Sequence, residues 1–234
     1  MKKSNLVNNA NIKLMSSNNK IARINNIFAV LQQHNPQPKI ELNYHNHFTL
    51  LIAVLLSAQS TDVGVNKATT KLFAVADTPQ KMLALQEDGL KAYISSIGLY
   101  NSKARNIMLL CQQLINLHNS QVPNNYNDLI KLAGIGSKSA KVILNCLFNQ
   151  PTIAVDTHVF RVANRLGFVK TKTAKQTELQ LPKIIPAKWQ QHAHHWLVLH
   201  GRYICKAIKP NCQQCSINNF CPNNNFNKLC QPTN

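Results

Sequence analysis

Residues 132–144 read LAGIGSKSAKVIL. The chain has only seven glycines, yet two of them, Gly134 and Gly136, stand one residue apart here, with Lys138 directly behind and an apolar run of helical spacing after that. Glycine admits backbone angles closed to other residues and lets another backbone approach closely. A helix–hairpin–helix built on such a turn points successive backbone N–H groups outward at the start of its second helix. That arrangement holds a phosphate without reading sequence. The same pattern also fits an ordinary turn between packed helices. A cation in the first turn of a helix opposes the macrodipole at a cost of about 0.3–1 kcal/mol. Placement there, with partial burial, favours the neutral amine, and a neutral amine forms a Schiff base with an aldehyde carbon. A phosphate contact or a solvated lysine is the plainer reading of Lys138, so chemistry at this point requires a second group.

Two further sets of residues supply candidates. Asp156, one of only eight acids, lies between the apolar PTIAV and the helical THVFRVANRL. It suits an N-cap, and a cap with one oxygen free can also act in catalysis. Cys205, Cys212, Cys215 and Cys221 are spaced C-x6-C-x2-C-x5-C. Structural zinc sites show two close pairs and this run has one, whereas four thiolates also suit an iron–sulfur cluster, so spacing leaves both open. The seven cysteines are an odd number, and the basic, asparagine-rich start has no apolar core of a signal peptide, so a disulfide framework is not expected. Cys111 and Cys146 read as small core residues, and Cys230 as a free thiol.

The elements that must position these groups are helical nearly throughout, and the fold class expected is all-α. Ile21, Ile24, Ile27, Phe28 and Leu31 form one stripe ended by Pro36 and Pro38. Phe48 to Leu56 is apolar on every side, as in a fully buried helix. Thr61-Asp62 and Asn101-Ser102 offer helix starts, and further helices are expected at 79–86, 88–96, 126–132, 137–148, 156–166 and 188–203. Pro182 should kink or shorten the helix expected from Ala174. Residues 1–19 read as a flexible basic tail. The longest apolar stretch, FTLLIAVLLSA, falls short of the roughly 20 residues needed to cross a bilayer. A formal charge of +18, from 26 Lys and Arg against 8 Asp and Glu, points to a polyanionic partner, most simply nucleic acid.

LLIAVLLSAQSTDVGVNKAT, IGLYNSKARNI, LAGIGSKSAKVIL, TIAVDTHVFRVANRLG, HHWLVLHGRYIC and the cysteine cluster, in that order, resemble the endonuclease III family of the helix–hairpin–helix DNA glycosylase superfamily, collinearly from about residue 21 to 229. The resemblance implies a six-helix domain of residues 40–150 and a discontinuous cluster domain of 20–39 with 151–234. It implies a bifunctional DNA glycosylase and abasic-site lyase of base excision repair, removing oxidised pyrimidines and cutting 3′ to the site by β-elimination. Lys138 matches the catalytic lysine that attacks C1′, and Asp156 the aspartate that assists it. Gly134 and Gly136 match the phosphate-binding hairpin. Gln59 and Leu99 match residues filling the gap left by an extruded nucleotide, and His158 stands where a pocket or structural histidine would. The four cysteines match the ligands of a [4Fe–4S] cluster, with Lys206, Lys209 and Lys228 around it. The implied partner is double-stranded DNA with damaged bases or abasic sites, met by a monomer in the cytoplasm at the nucleoid, with no membrane. The family usually has proline where Ala133 stands and often arginine at Ser137, and both departures imply modestly weaker DNA affinity, with Ser137 a better N-cap. A monofunctional glycosylase of this fold lacks the lysine, and a non-catalytic DNA-binding module would not need it.

Overall fold

The computed structural model describes residues 3–223, with side chains described from residue 19 onward. Lys228 and Cys230 lie outside the described residues. Eleven α-helices follow in chain order among them. They are α1 Lys3–His34, α2 His47–Ser57, α3 Asp62–Val75, α4 Pro79–Ala84, α5 Gln86–Ile94 and α6 Tyr100–His118. The rest are α7 Tyr126–Leu129, α8 Ser137–Phe148, α9 Thr157–Arg165, α10 Ala174–Ile184 and α11 Ala187–Leu199. No strand occurs among the described residues. The chain divides into two compact units, Ile40–Gln150 and the pairing of Met1–Lys39 with Pro151–Asn234.

In the continuous unit, α2 is the hub. Phe48 to Leu56 are all buried, and α3, α6 and α8 pack around them. An apolar helix of this kind is stable only when surrounded, because water on any face would undo the burial that holds it. Its start is set by a reciprocal cap. Asn46 Oδ1 accepts the Thr49 N–H at 2.8 Å, and Thr49 Oγ1 accepts the Asn46 N–H at 3.0 Å. Thr61 caps α3 by accepting the Gly64 N–H at 3.2 Å, and α6 packs on α4 and α5.

In the discontinuous unit, Phe28 of α1 is fully buried against Phe168, Trp189 and Trp196, with ring centroids 5.7, 6.0 and 5.8 Å apart. Both indoles find acceptors, Trp189 Nε1 on Asn25 Oδ1 and Trp196 Nε1 on the Asn35 carbonyl, each at 2.8 Å. Buried tryptophans require this, since an unsatisfied N–H costs about 1–3 kcal/mol. The unit is thus sealed by residues from both ends of the chain.

Three local expectations are revised, and a fourth is met in one of its two forms. The helix from Lys3 begins inside the segment expected to be a flexible tail, because neither glycine nor proline interrupts the chain before Pro36. Ile21, expected on the buried stripe, is 46% exposed. The helix expected to open at Asn101-Ser102 begins instead at Tyr100 behind a left-handed Leu99 at φ 62°, and Ser102 Oγ donates back to the Leu99 carbonyl at 3.0 Å rather than capping. Finally, α10 passes through Pro182 and stops two residues later. Proline has no N–H to bond four residues back, but only the last turn lies beyond it, so the helix is shortened without breaking in the middle.

Candidate active site

The hairpin is formed by α7, a turn through Leu132–Gly136 and α8. Gly134 has φ +79°, and a methyl group there would come within 2.9 Å of Leu55 Cδ1 and 3.1 Å of Asn106 Cβ. Both the backbone angle and the close packing demand glycine. Gly134→Ala is therefore expected to lower stability by about 1–3 kcal/mol, as read by the urea unfolding midpoint. An unchanged midpoint would contradict the fit described here. Gly136 is different. Its φ is −93°, and a methyl group there would meet nothing within 4 Å. It is the N-cap of α8, no side chain caps the helix, and Ser137 is its first residue, not the cap expected from its type. The first-turn N–H groups of α8 are thus left to an outside acceptor.

Sequence reasoning missed the residue that braces this turn. Gln113 of α6 accepts the Ala133 N–H on Oε1 at 2.8 Å and donates through Nε2 to the Lys131 carbonyl at 3.1 Å. A proline in place of Ala133 would have no N–H to give, so the rigidity lost with the proline ring is supplied here by a hydrogen bond. Lys138, second in α8, is exposed. The partial burial considered for it is not found, since Ser137 and Lys138 both face outward at the start of α8.

Gln59 and Leu99 lie in the same unit on separate loops. Both are exposed, Leu99 to 60%, and both hold left-handed backbones, with φ 55° and 62°. Non-glycine residues visit this region only when their surroundings enforce it. A β-carbon on Gly98 would sit 3.7 Å from the Gln59 carbonyl, so the two loops run side by side.

Asp156 and His158 belong to the discontinuous unit. Asp156 caps α9, its Oδ1 accepting the Val159 N–H at 2.8 Å, as an aspartate before a helical run should. The carboxylate is half-exposed, and its other oxygen accepts no hydrogen bond from the described residues. His158 Nδ1 lies 3.3 Å from Arg161 Nη2, and its Cβ packs against the place where Gly201 lacks a side chain.

The four cysteines follow α11 through a wide turn at His200–Ile204 and two single-turn helices, Cys212–Gln214 and Asn218–Phe220. Three arginines, none singled out from sequence, lace this loop to the rest of its unit. Arg161 donates to the Cys205 and Gly201 carbonyls at 3.1 and 2.7 Å. Arg165 donates to the Lys206 and Ala207 carbonyls at 2.6 and 2.9 Å and lies 3.5 Å from Cys205 Sγ. Arg23 donates to the Leu166 and Phe220 carbonyls at 2.7 and 3.0 Å. Burial, chiefly, pushes the Cys215 thiol up to about 11, with Cys221, Cys205 and Cys212 adding to the rise and the Ile217 backbone opposing it, so the four sulfurs share one field. No group of three or more His, Cys, Asp or Glu among the described residues is placed to hold a single metal ion. A tetrahedral zinc would draw its sulfurs to about 3.8 Å from one another. A cubane fills a wider cage, and its iron would favour the thiolates that burial alone disfavours.

Comparison with known proteins bears on the helical fold and on the cysteine loop. Residues 52–187 match the model of the HhH-GPD superfamily of base excision DNA repair proteins, and residues 205–221 match the iron–sulfur binding domain of endonuclease III. The chain belongs to the HhH-GPD superfamily of base excision DNA repair proteins. It is 59% identical over 198 residues to endonuclease III of Rickettsia conorii, spanning 85% of this chain and 94% of that protein. It is 53% identical over 203 residues to endonuclease III of Escherichia coli K12, spanning 87% and 96%. The solved structure of a trapped endonuclease III–DNA covalent intermediate superposes with a TM-score of 0.82 at 41% identity, over 89% of this chain and 98% of that one. The chain is accordingly an enzyme, a bifunctional DNA glycosylase and abasic-site lyase. Its cofactor is a [4Fe–4S] cluster.

That cluster supplies a covalent staple for a loop with little core of its own. Cys212→Ser is expected to lose the bound iron and the blue-region absorbance of the cluster, and to loosen residues 205–221. Elemental analysis checks this, and zinc with no iron in the unaltered protein would contradict it.

Proposed function

We propose that Lys138 is the nucleophile and Asp156 its charged partner in removing oxidised pyrimidines from duplex DNA. The observation that carries the reading is the exposed amine of Lys138 beside an uncapped helix start. There the α8 N–H groups take a backbone phosphate, and the amine stands next to the sugar that phosphate carries. Docked DNA displaces water from the amine, which strengthens every electrostatic interaction at the site.

The neutral Nζ attacks C1′ of the extruded nucleotide. The glycosidic bond breaks, and the base departs with the electron pair and takes up a proton. The unprotected oxygen of Asp156 faces the positive charge that develops on the sugar and stabilises it. Opening of the ring leaves an iminium between Nζ and C1′. Loss of a C2′ proton then expels the 3′ phosphate with the C3′–O electron pair, and water releases the unsaturated aldehyde from the lysine. Extruding the nucleotide costs a few kcal/mol, least for a damaged base. Leu99, apolar and exposed, and Gln59 fill the gap and hold the duplex open, while His158 lines the pocket side of α9. The protein acts as a monomer at the nucleoid.

Gly136→Ala separates ligand binding from folding. The methyl group meets no protein atom, so unfolding should stay within about 0.5 kcal/mol of wild type while duplex affinity falls by roughly three- to tenfold, read by fluorescence anisotropy. Unchanged affinity would mean that no phosphate approaches this turn. The whole reading is tested on duplexes carrying one 5-hydroxyuracil. Release of that base, together with a 3′ unsaturated aldehyde, is expected, whereas release confined to alkylated purines would overturn it.

A further inference from the structure

We propose that Lys103 is a positioning residue that fixes the spacing between the Gln59 loop and the Leu99 loop, and so keeps the two wedge residues in register with an opened duplex. This rests on the assignment of Gln59 and Leu99 made above.

Lys103 lies in the first turn of α6 and is 5% exposed. Its Nζ donates to the Leu56 carbonyl at 2.8 Å and to Ser60 Oγ at 3.0 Å. Leu56 lies in the last turn of α2 and Ser60 follows Gln59, so one ammonium spans the loop that carries Gln59. The backbone N–H of the same residue donates to the Leu99 carbonyl at 3.0 Å. A single residue therefore holds Gln59 through its side chain and Leu99 through its main chain, 40 positions apart in sequence. The Gly98 and Gln59 backbones are close enough for van der Waals contact, so a small change in one loop is felt by the other.

The energetics favour a geometric role over a stabilising one. Both acceptors are neutral, and among the described residues Lys103 has no ion pair of the kind that Lys81, Lys91 and Lys131 make. Burial alone moves the amine below its usual range. An unpaired ammonium in such a place is costly, and an aliphatic side chain on a helix beside a core would pack at lower cost. What the ammonium supplies and an aliphatic chain cannot is two directed bonds, one to the carbonyl end of α2, where a cation is favoured. Those bonds hold Gln59 and Leu99 in left-handed conformations that neither adopts unaided.

The test compares Lys103→Met, Ser60→Ala and the Gln59→Ala/Leu99→Ala pair, using a duplex with 2-aminopurine opposite an abasic site. Thermal unfolding reports the fold, 2-aminopurine fluorescence reports opening of the duplex, and borohydride trapping reports reaction. Lys103→Met is expected to slow trapping roughly tenfold or more and to blunt the fluorescence rise. Ser60→Ala should do so more mildly. Should Lys103→Met not fold, Ser60→Ala carries the test, since it removes one of the two acceptors and leaves the buried amine its other bond. In the Gln59→Ala/Leu99→Ala background, adding Lys103→Met should change the rate by less than about twofold, because its effect passes through those two residues. An equal slowing in both backgrounds, or wild-type behaviour of Lys103→Met beside an impaired pair, overturns the clamp. Wild-type fluorescence and trapping in the Gln59→Ala/Leu99→Ala pair overturns the wedge assignment itself.

Discussion

Lys138→Ala is expected to abolish covalent trapping on an abasic-site duplex and to lower strand cleavage by at least about a thousandfold, the scale on which an enzyme loses its nucleophile. Folding should be unaffected, because the side chain is exposed and alanine is the best helix former. Duplex affinity should fall only modestly, by the one cation removed from a chain of formal charge +18. Trapping gels, unfolding curves and anisotropy read the three quantities separately. A variant that still cleaves at a tenth of the wild-type rate would place the nucleophile elsewhere.

Asp156→Asn is expected to slow base release by about 10²–10⁴-fold while leaving stability within about 0.5 kcal/mol of wild type. The reasoning turns on what the carboxylate already does. Its Oδ1 accepts the Val159 N–H, and asparagine caps a helix nearly as well as aspartate, so the structural duty survives the change. The negative charge and the acceptor strength of the second oxygen do not survive it. A merely structural Asp156 would give a variant with normal rates, and single-turnover base release against the thermal midpoint distinguishes the two.

Much of the architecture could be read from residue pattern because burial imposes it. The unbroken apolar run of α2, the α1 stripe from Ile24 to Leu31 and the aspartate opening α9 each follow from one local rule, and each is found. The rules failed where a distant group took over. Asn101 and Ser102 have good capping side chains, yet α6 begins at Tyr100, one residue before them, behind a left-handed Leu99. Ser137 is a better cap by type than Gly136, but the glycine holds the extended backbone that the cap position needs. Lys103 reads as a surface lysine, since its acceptors Leu56 and Ser60 lie more than 40 positions away. The arginines around the cysteine loop are invisible for the same reason: they donate to backbone carbonyls, and any sequence has a carbonyl at every position. Spacing alone left the four cysteines between zinc and iron–sulfur. The matched iron–sulfur binding domain over residues 205–221 resolves that choice.

The central claim is that one named amine forms the imine, and the most direct measurement is to reduce that imine with borohydride on an abasic-site duplex, digest with trypsin and locate the sugar remnant by mass. Trypsin cuts after Lys131 and Lys141 but not after an alkylated lysine, so the remnant should appear on residues 132–141, uncut at Lys138. A remnant on any other lysine or on the chain's amino terminus would contradict the assignment.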